Sequence, residues 1–104
     1  MERIETALTR TGIPFKHFGF VNPPQDAYIV YAEDYTDSLR AGGHQIESIM
    51  HGTIDLFTRD DTRVQMEKIE AELNKIDAFA FHLESIQFED ETGFIHFEWY
   101  WSMQ

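Results

Sequence analysis

The C-terminal stretch Phe94 to Ser102, FIHFEWYWS, constrains the fold more than any other part of the chain. In a strand, successive side chains point to opposite faces. Ile95, Phe97, Trp99 and Trp101 then share one face, with His96 and Glu98 on the other. The stretch Phe79 to Glu89 precedes it, and Asp90-Glu91-Thr92-Gly93 between them has turn composition, so the pair reads as a hairpin. A four-residue loop predicts the pairs Phe88 with Ile95, Ile86 with Phe97, Glu84 with Trp99 and His82 with Trp101. Ile86, Phe88 and the four C-terminal apolar residues then form a core face, opposite Gln87, Ser85, Glu89, His96 and Glu98. This register leaves Phe81, Leu83 and Tyr100 together on the polar side, an apolar patch expected to contact another subunit.

A second hairpin is predicted nearer the N-terminus. Tyr28-Ile29-Val30-Tyr31 is a β-branched and aromatic strand signal, and it continues through polar Glu33 to Arg40. Ala41-Gly42-Gly43-His44 turns the chain, and the return strand runs from about Gln45 to Phe57. Strands in globular domains average about 5–6 residues. These are far longer, so the tip at about 35–44 is expected to project as an arm. Tyr35, Leu39 and Arg40 are its candidate partner contacts.

Two helices complete the reading. Ile4, Ala7 and Leu8 give Glu2 to Arg10 helical spacing, with Gly12 as the stop. Met66, Ile69, Leu73 and Ile76 make one apolar stripe on a helix from about Thr62 to Ile76, with Asp60 or Asp61 as its N-cap. Between the first helix and the long hairpin, Ile13 to Phe20 reads as an edge strand because Pro14 cannot donate to a ladder, and Asn22-Pro23-Pro24-Gln25 as a loop. The predicted fold class is α+β: one domain over residues 1–104, with an antiparallel sheet of four to five strands, two hairpins, and two helices packed on one face.

Composition narrows the function classes. With 8 Lys+Arg against 19 Asp+Glu, the net charge of -11 repels phosphate and opposes both a basic nucleic-acid patch and attraction to an anionic membrane. Absence of cysteine removes disulfides, thiol catalysis and Cys-based zinc sites, and is compatible with a reducing compartment. The charged N-terminal stretch has no apolar signal core and no apolar run reaches membrane-spanning length, so a soluble protein is expected. Nine Phe, four Tyr and two Trp exceed what one small core easily encloses, which points to aromatic packing against other subunits.

Chemistry-bearing motifs are missing. His17, His44, His51, His82 and His96 form neither a helical His-x-x-x-His pair nor an i, i+2 pair on a strand. His82 and Glu84 share a strand face, the beginning of an acid–base or metal site, though such pairs are usually polar neighbours. Glu89-Asp90-Glu91 lacks the alternating ligands of a calcium loop and reads as a solvated turn, while Glu33-Asp34-Asp37 blunts a strand edge. No nucleophile elbow or phosphate loop is present, so no catalytic, metal-binding or cofactor-binding residue is assigned and no enzyme activity is expected.

One order of elements spans roughly residues 8 to 102: Thr11-Gly12-Ile13-Pro14, His17-Phe18, the Pro-Pro loop, Tyr28-Ile29-Val30-Tyr31, an acidic-polar stretch with Ser38 and Gly42-Gly43, then Ile54-Asp55-Leu56-Phe57-Thr58 before Arg59-Asp60-Asp61, a Glu/Lys-rich helix and an aromatic hairpin. It resembles the tail-terminator, or tail-completion, proteins of the head–tail joining modules of long-tailed bacteriophages and prophages. The resemblance implies an α+β subunit of a ring, typically hexameric, which caps the tail tube and joins it to the head connector. It places the protein in the virion after assembly in the host cytoplasm, with DNA passing through the ring and no cofactor. A head–tail stopper or adaptor of the same module is the neighbouring alternative, and a small enzyme or ligand-binding domain the alternative of another kind.

Overall fold

In the computed structural model, which describes the backbone of residues 1–104 and every side chain except those of residues 39–41, 45 and 46, the chain runs α1 (Glu2–Thr11), β1 (Phe15–His17), β2 (Ala27–Ala41), β3 (His44–Thr58), α2 (Val64–Leu73), β4 (Phe79–Glu89) and β5 (Phe94–Met103). The strands form one sheet in the order β1-β2-β3-β5-β4, with the helices packed on one face, an α+β fold.

Both helices follow their apolar spacing. Ile4, Ala7, Leu8 and Thr11 are the buried side of α1, and Gly12, at φ 75, closes the helix by donating its N–H to Thr9 O. A left-handed residue at that position is most easily a glycine. Met66, Ile69 and Leu73 are buried on α2, and Ile76 packs against the same core. The start of α2 differs from expectation. Arg63 occupies the N-cap at φ 67 without a side-chain cap bond, because Asp60 is engaged locally: its Oδ1 accepts from both the N–H (2.9 Å) and the hydroxyl (2.7 Å) of Thr62. That turn uses the carboxylate before the helix begins.

The sheet is mixed, which corrects the wholly antiparallel expectation. Its short edge strand β1 pairs parallel to β2, with Phe15 opposite Ile29 and His17 opposite Tyr31. Parallel neighbours need a crossover between them; residues 18–26 supply it. The other pairings are antiparallel.

On the helix side, Ile29 and Tyr31 of β2 face Leu56 and Ile54 of β3, which face Phe97 and Trp99 of β5. All six are 2% exposed or less, so this is the centre of the core. Gly52 sits opposite Trp101 in the same row. A Cβ there would collide with Ala32 O and the Trp101 ring, so the indole occupies the space a side chain would take. The Trp101 Nε1–H donates to Thr53 O at 3.0 Å.

The β4–β5 hairpin keeps the predicted register only near its turn, where Phe88 pairs with Ile95 and Ile86 with Phe97. A bulge at Glu84 then shifts the ladder, so Leu83 lies opposite Trp99, His82 opposite Tyr100 and Phe81 opposite Trp101. The shift turns Phe79, Phe81 and Leu83 toward the core. Burying an aromatic or leucine side chain gains up to about 1.5–3 kcal/mol, whereas one lost ladder bond costs about 0.5–1.5 kcal/mol. Three partly buried side chains outweigh one interruption.

Candidate interaction surface

The sheet offers two uncovered regions, and β2 with β3 builds most of both. β5 ends at Met103 opposite Met50, and β1 reaches only as far as Tyr31. Residues 37–41 and 44–49 therefore pair with each other and with no third strand. This ribbon accounts for extents of 52 × 26 × 23 Å and a radius of gyration of 15.1 Å, against about 13 Å for a compact chain of this length. A bulge between Glu33 and Tyr35 marks its root, next to Gly52 and Trp101. The ribbon spans the residues, about 35–44, that the sequence reading expects to project as an arm.

The second region is the sheet face opposite the helices. Tyr28, Val30, Ala32 and Tyr35 of β2 lie opposite Phe57, Asp55, Thr53 and His51 of β3. The row continues into His96, Glu98, Tyr100 and Ser102 of β5, and Gln87, Ser85, His82 and Ala80 of β4 complete it. No helix packs there.

The sequence-derived contact residues are distributed over these regions. Tyr35 is 56% exposed and its ring stacks on His51 with centroids 4.4 Å apart. Leu39 and Arg40 pair through the backbone with Glu47 and Gln45, but their side chains lie outside the described residues. The predicted patch of Phe81, Leu83 and Tyr100 does not exist as one face. The Glu84 bulge sends Phe81 and Leu83 to the core side, while Tyr100 remains on the open face, 43% exposed. Tyr100 instead joins Tyr35, His51 and His82 around a shallow depression of about 290 Å³. On the helix side, Ile86 and Phe88 hold their predicted face, yet both are exposed and stand outside the core cluster.

The electrostatics of the open face are acidic. His96 Nε2 lies 2.7 Å from Asp55 Oδ1, and this hydrogen bond, against the opposing effect of burial, raises the imidazole above its ordinary value. Burial, reinforced by the nearby Asp55, raises Glu98. Glu98 and Glu84 together raise the Tyr100 phenol. His82 and Glu84, the sequence-derived acid–base candidates, do meet, at 3.1 Å, with the imidazole edge-on to Tyr100. Among the described residues, no group of three or more His, Asp or Glu side chains is placed to hold a metal ion.

At the far end from the ribbon, the crossover forms the wall of a cleft of about 360 Å³ lined by Phe18, Phe20, Pro23, Tyr28, Val30, Asp55 and Phe57. Arg59 fixes this end. Its Nε donates to Gln25 O at 2.9 Å, its Nη1 donates to Thr92 O, and its guanidinium lies 4.2 Å from the Phe94 ring centre. The sequence reading missed this cleft. Strand alternation places Tyr28 and Val30 on one face, but the parallel crossover that brings Phe18 and Phe20 over them leaves no such signal. No family model matches this chain and no curated protein aligns with it significantly. Among the described residues, no helix is long and apolar enough to cross a membrane.

Proposed function

We propose that the chain is a structural assembly protein, a tail-terminator-like subunit that packs with copies of itself into a ring on the head-proximal end of a phage tail tube and joins it to the head connector. The observation that carries this reading is the β2–β3 ribbon. An isolated two-stranded ribbon is marginally stable in water, and its two unpaired edges are templates for another chain. Adding a strand from a neighbouring subunit satisfies those groups, so an element that is unfavourable on a monomer becomes useful in an assembly. A heterologous contact of this kind generates a ring when the rotation closes.

Two further features support the reading. The net charge of -11 suits a ring whose lumen passes DNA without holding it. The depressions on the open face are shallow, unlike the concave pockets that bury most of a small-molecule substrate, and the reading is that of a non-enzyme. The resemblance in element order supplies the specific location in the virion. A stopper or adaptor of the same module would use the same ribbon against connector subunits instead of tail-tube subunits.

Deletion of residues 36–43 tests the proposal. The full chain is expected to form rings on purified tails, seen by electron microscopy, and to elute as an oligomer or be captured by tails. The deletion variant is expected to stay folded, because the ribbon lies outside the core cluster, but to lose capping. A variant that still caps tails normally removes the ribbon from the mechanism. Binding to connectors in preference to tails moves the protein to the stopper role.

A further inference from the structure

The geometry points to a second interaction site, the cleft at the end of the open face away from the ribbon, built to receive an arginine side chain from a basic segment of a different protein. It rests on nothing in the ring reading, and the test below needs no ring.

The walls are aromatic and in contact with one another. Phe20 meets Tyr28 edge-on at 5.4 Å between centroids, Tyr28 stacks on Phe57 at 4.8 Å, and Phe57 stacks on His96 at 4.2 Å. Asp55 lies among them and is held in place by His96 at 2.7 Å. Aromatic faces beside an anchored carboxylate complement a planar cation: the ring faces attract positive charge, and the carboxylate supplies its hydrogen-bond acceptors. A guanidinium satisfies both at once because it is flat and carries donors in a fixed fork, whereas an ammonium is compact and strongly hydrated. The volume of about 360 Å³ is at the small end of ligand-sized clefts, roughly 300–1,000 Å³, suited to one side chain and not to a larger ligand.

Charge selects the partner. A stacked aromatic sheet face would otherwise suit nucleobases, but here Asp55 lines the cleft and Glu98 lies beside it across the ladder. Acidic influence reaches the cleft itself, since Glu89 adds to the effect of burial in raising the Tyr28 phenol. Phosphates are repelled from such a face and cations are drawn to it. A second copy of this chain, at -11, is a poorer match than a basic segment of another protein. Phe18 adds an independent sign. Its φ is 70, its ring is stacked on His17 at 3.9 Å, and it remains 67% exposed at the cleft. A bulky residue in the left-handed region is strained, and that strain leaves an aromatic ring standing where a ligand would be covered.

The probe is N-acetyl-arginine amide, titrated into the isotopically labelled full-length chain and followed by NMR. Saturable shifts are expected at Tyr28, Phe57 and His96, with dissociation in the millimolar range for so small a probe. Asp55→Asn is expected to weaken binding about tenfold, the loss of one charged hydrogen-bonded partner. Phe18→Ala, which removes only an exposed ring, is expected to weaken it about threefold without unfolding the protein. The lysine analogue should bind at least about threefold more weakly than the arginine probe, and a ten-nucleotide thymidine strand should leave these resonances unmoved. Absence of saturable shifts, unchanged affinity in Phe18→Ala, equal binding of the lysine analogue, or displacement by the oligonucleotide would each overturn the assignment.

Discussion

Replacing Gly52 with alanine probes the junction where the ribbon leaves the body. The added methyl has no room: on one side lies the Ala32 carbonyl oxygen, on the other the Trp101 ring. Overpacking of this kind costs about 1–3 kcal/mol, toward the upper end here because one of the two obstacles is main chain and cannot rotate away. If the indole is displaced it also loses its hydrogen bond to Thr53 O, a further ~1 kcal/mol. Against this, alanine recovers about 0.5–1 kcal/mol of the backbone entropy that glycine loses on folding. The balance is a destabilisation of about 2–3 kcal/mol, a large share of the roughly 5–15 kcal/mol holding a domain of this size together. It should lower the melting temperature by roughly 10–20 °C. Trp99 and Trp101 are both buried, at 0% and 2% exposure, so urea unfolding followed by tryptophan fluorescence reads the loss directly. In a Trp101→Leu background the penalty of Gly52→Ala should shrink but persist, because the Ala32 oxygen remains. A change below about 0.5 kcal/mol in the native background would refute the packing argument.

Deleting Glu84 should remove the bulge yet leave Leu83 opposite Trp99 and Phe81 opposite Trp101, so the core-facing side chains keep their places and stability should change by less than about 1.5 kcal/mol; a loss as large as exposing those side chains would show that the bulge itself holds the hairpin. His96 makes stability pH-dependent. Its raised value means that its contribution is complete below the ordinary histidine value near 6.5 and is lost as pH rises through the folded-state value. Glu98, also raised, acts in the same direction from above its ordinary value of 4.5, since folding favours its protonated form. Urea midpoints should therefore fall as pH rises above the ordinary histidine value near 6.5, by less than about 1 kcal/mol because the His96–Asp55 pair is still partly open to screening solvent. His96→Gln should flatten that slope; an identical slope in the variant assigns the effect to other groups.

Much of the architecture is written in local patterns. The apolar stripe of Met66, Ile69 and Leu73, the αL stop at Gly12, the paired glycines at 42 and 43 and the alternation around Phe97 and Trp99 each depend on neighbours only a few residues away. That is why both helices, both hairpins and the projecting ribbon are legible without coordinates. Tertiary structure decided the rest, because those outcomes depend on contacts between distant segments. Nothing within Phe79 to Glu89 marks Glu84 as the extra residue; its bulge exists because three apolar side chains gain a core that Trp99, Trp101 and the helices supply from elsewhere. Phe15 to His17 carries no sign of its parallel pairing, since strand direction is set by where the crossover can pass. The same crossover lays Phe18 and Phe20 beside Tyr28, Phe57 and Asp55. The sequence alone thus determined the elements and their apolar faces, whereas the open-face depression beside Tyr100 and the aromatic cleft were decided by register and crossing, which only the assembled sheet imposes.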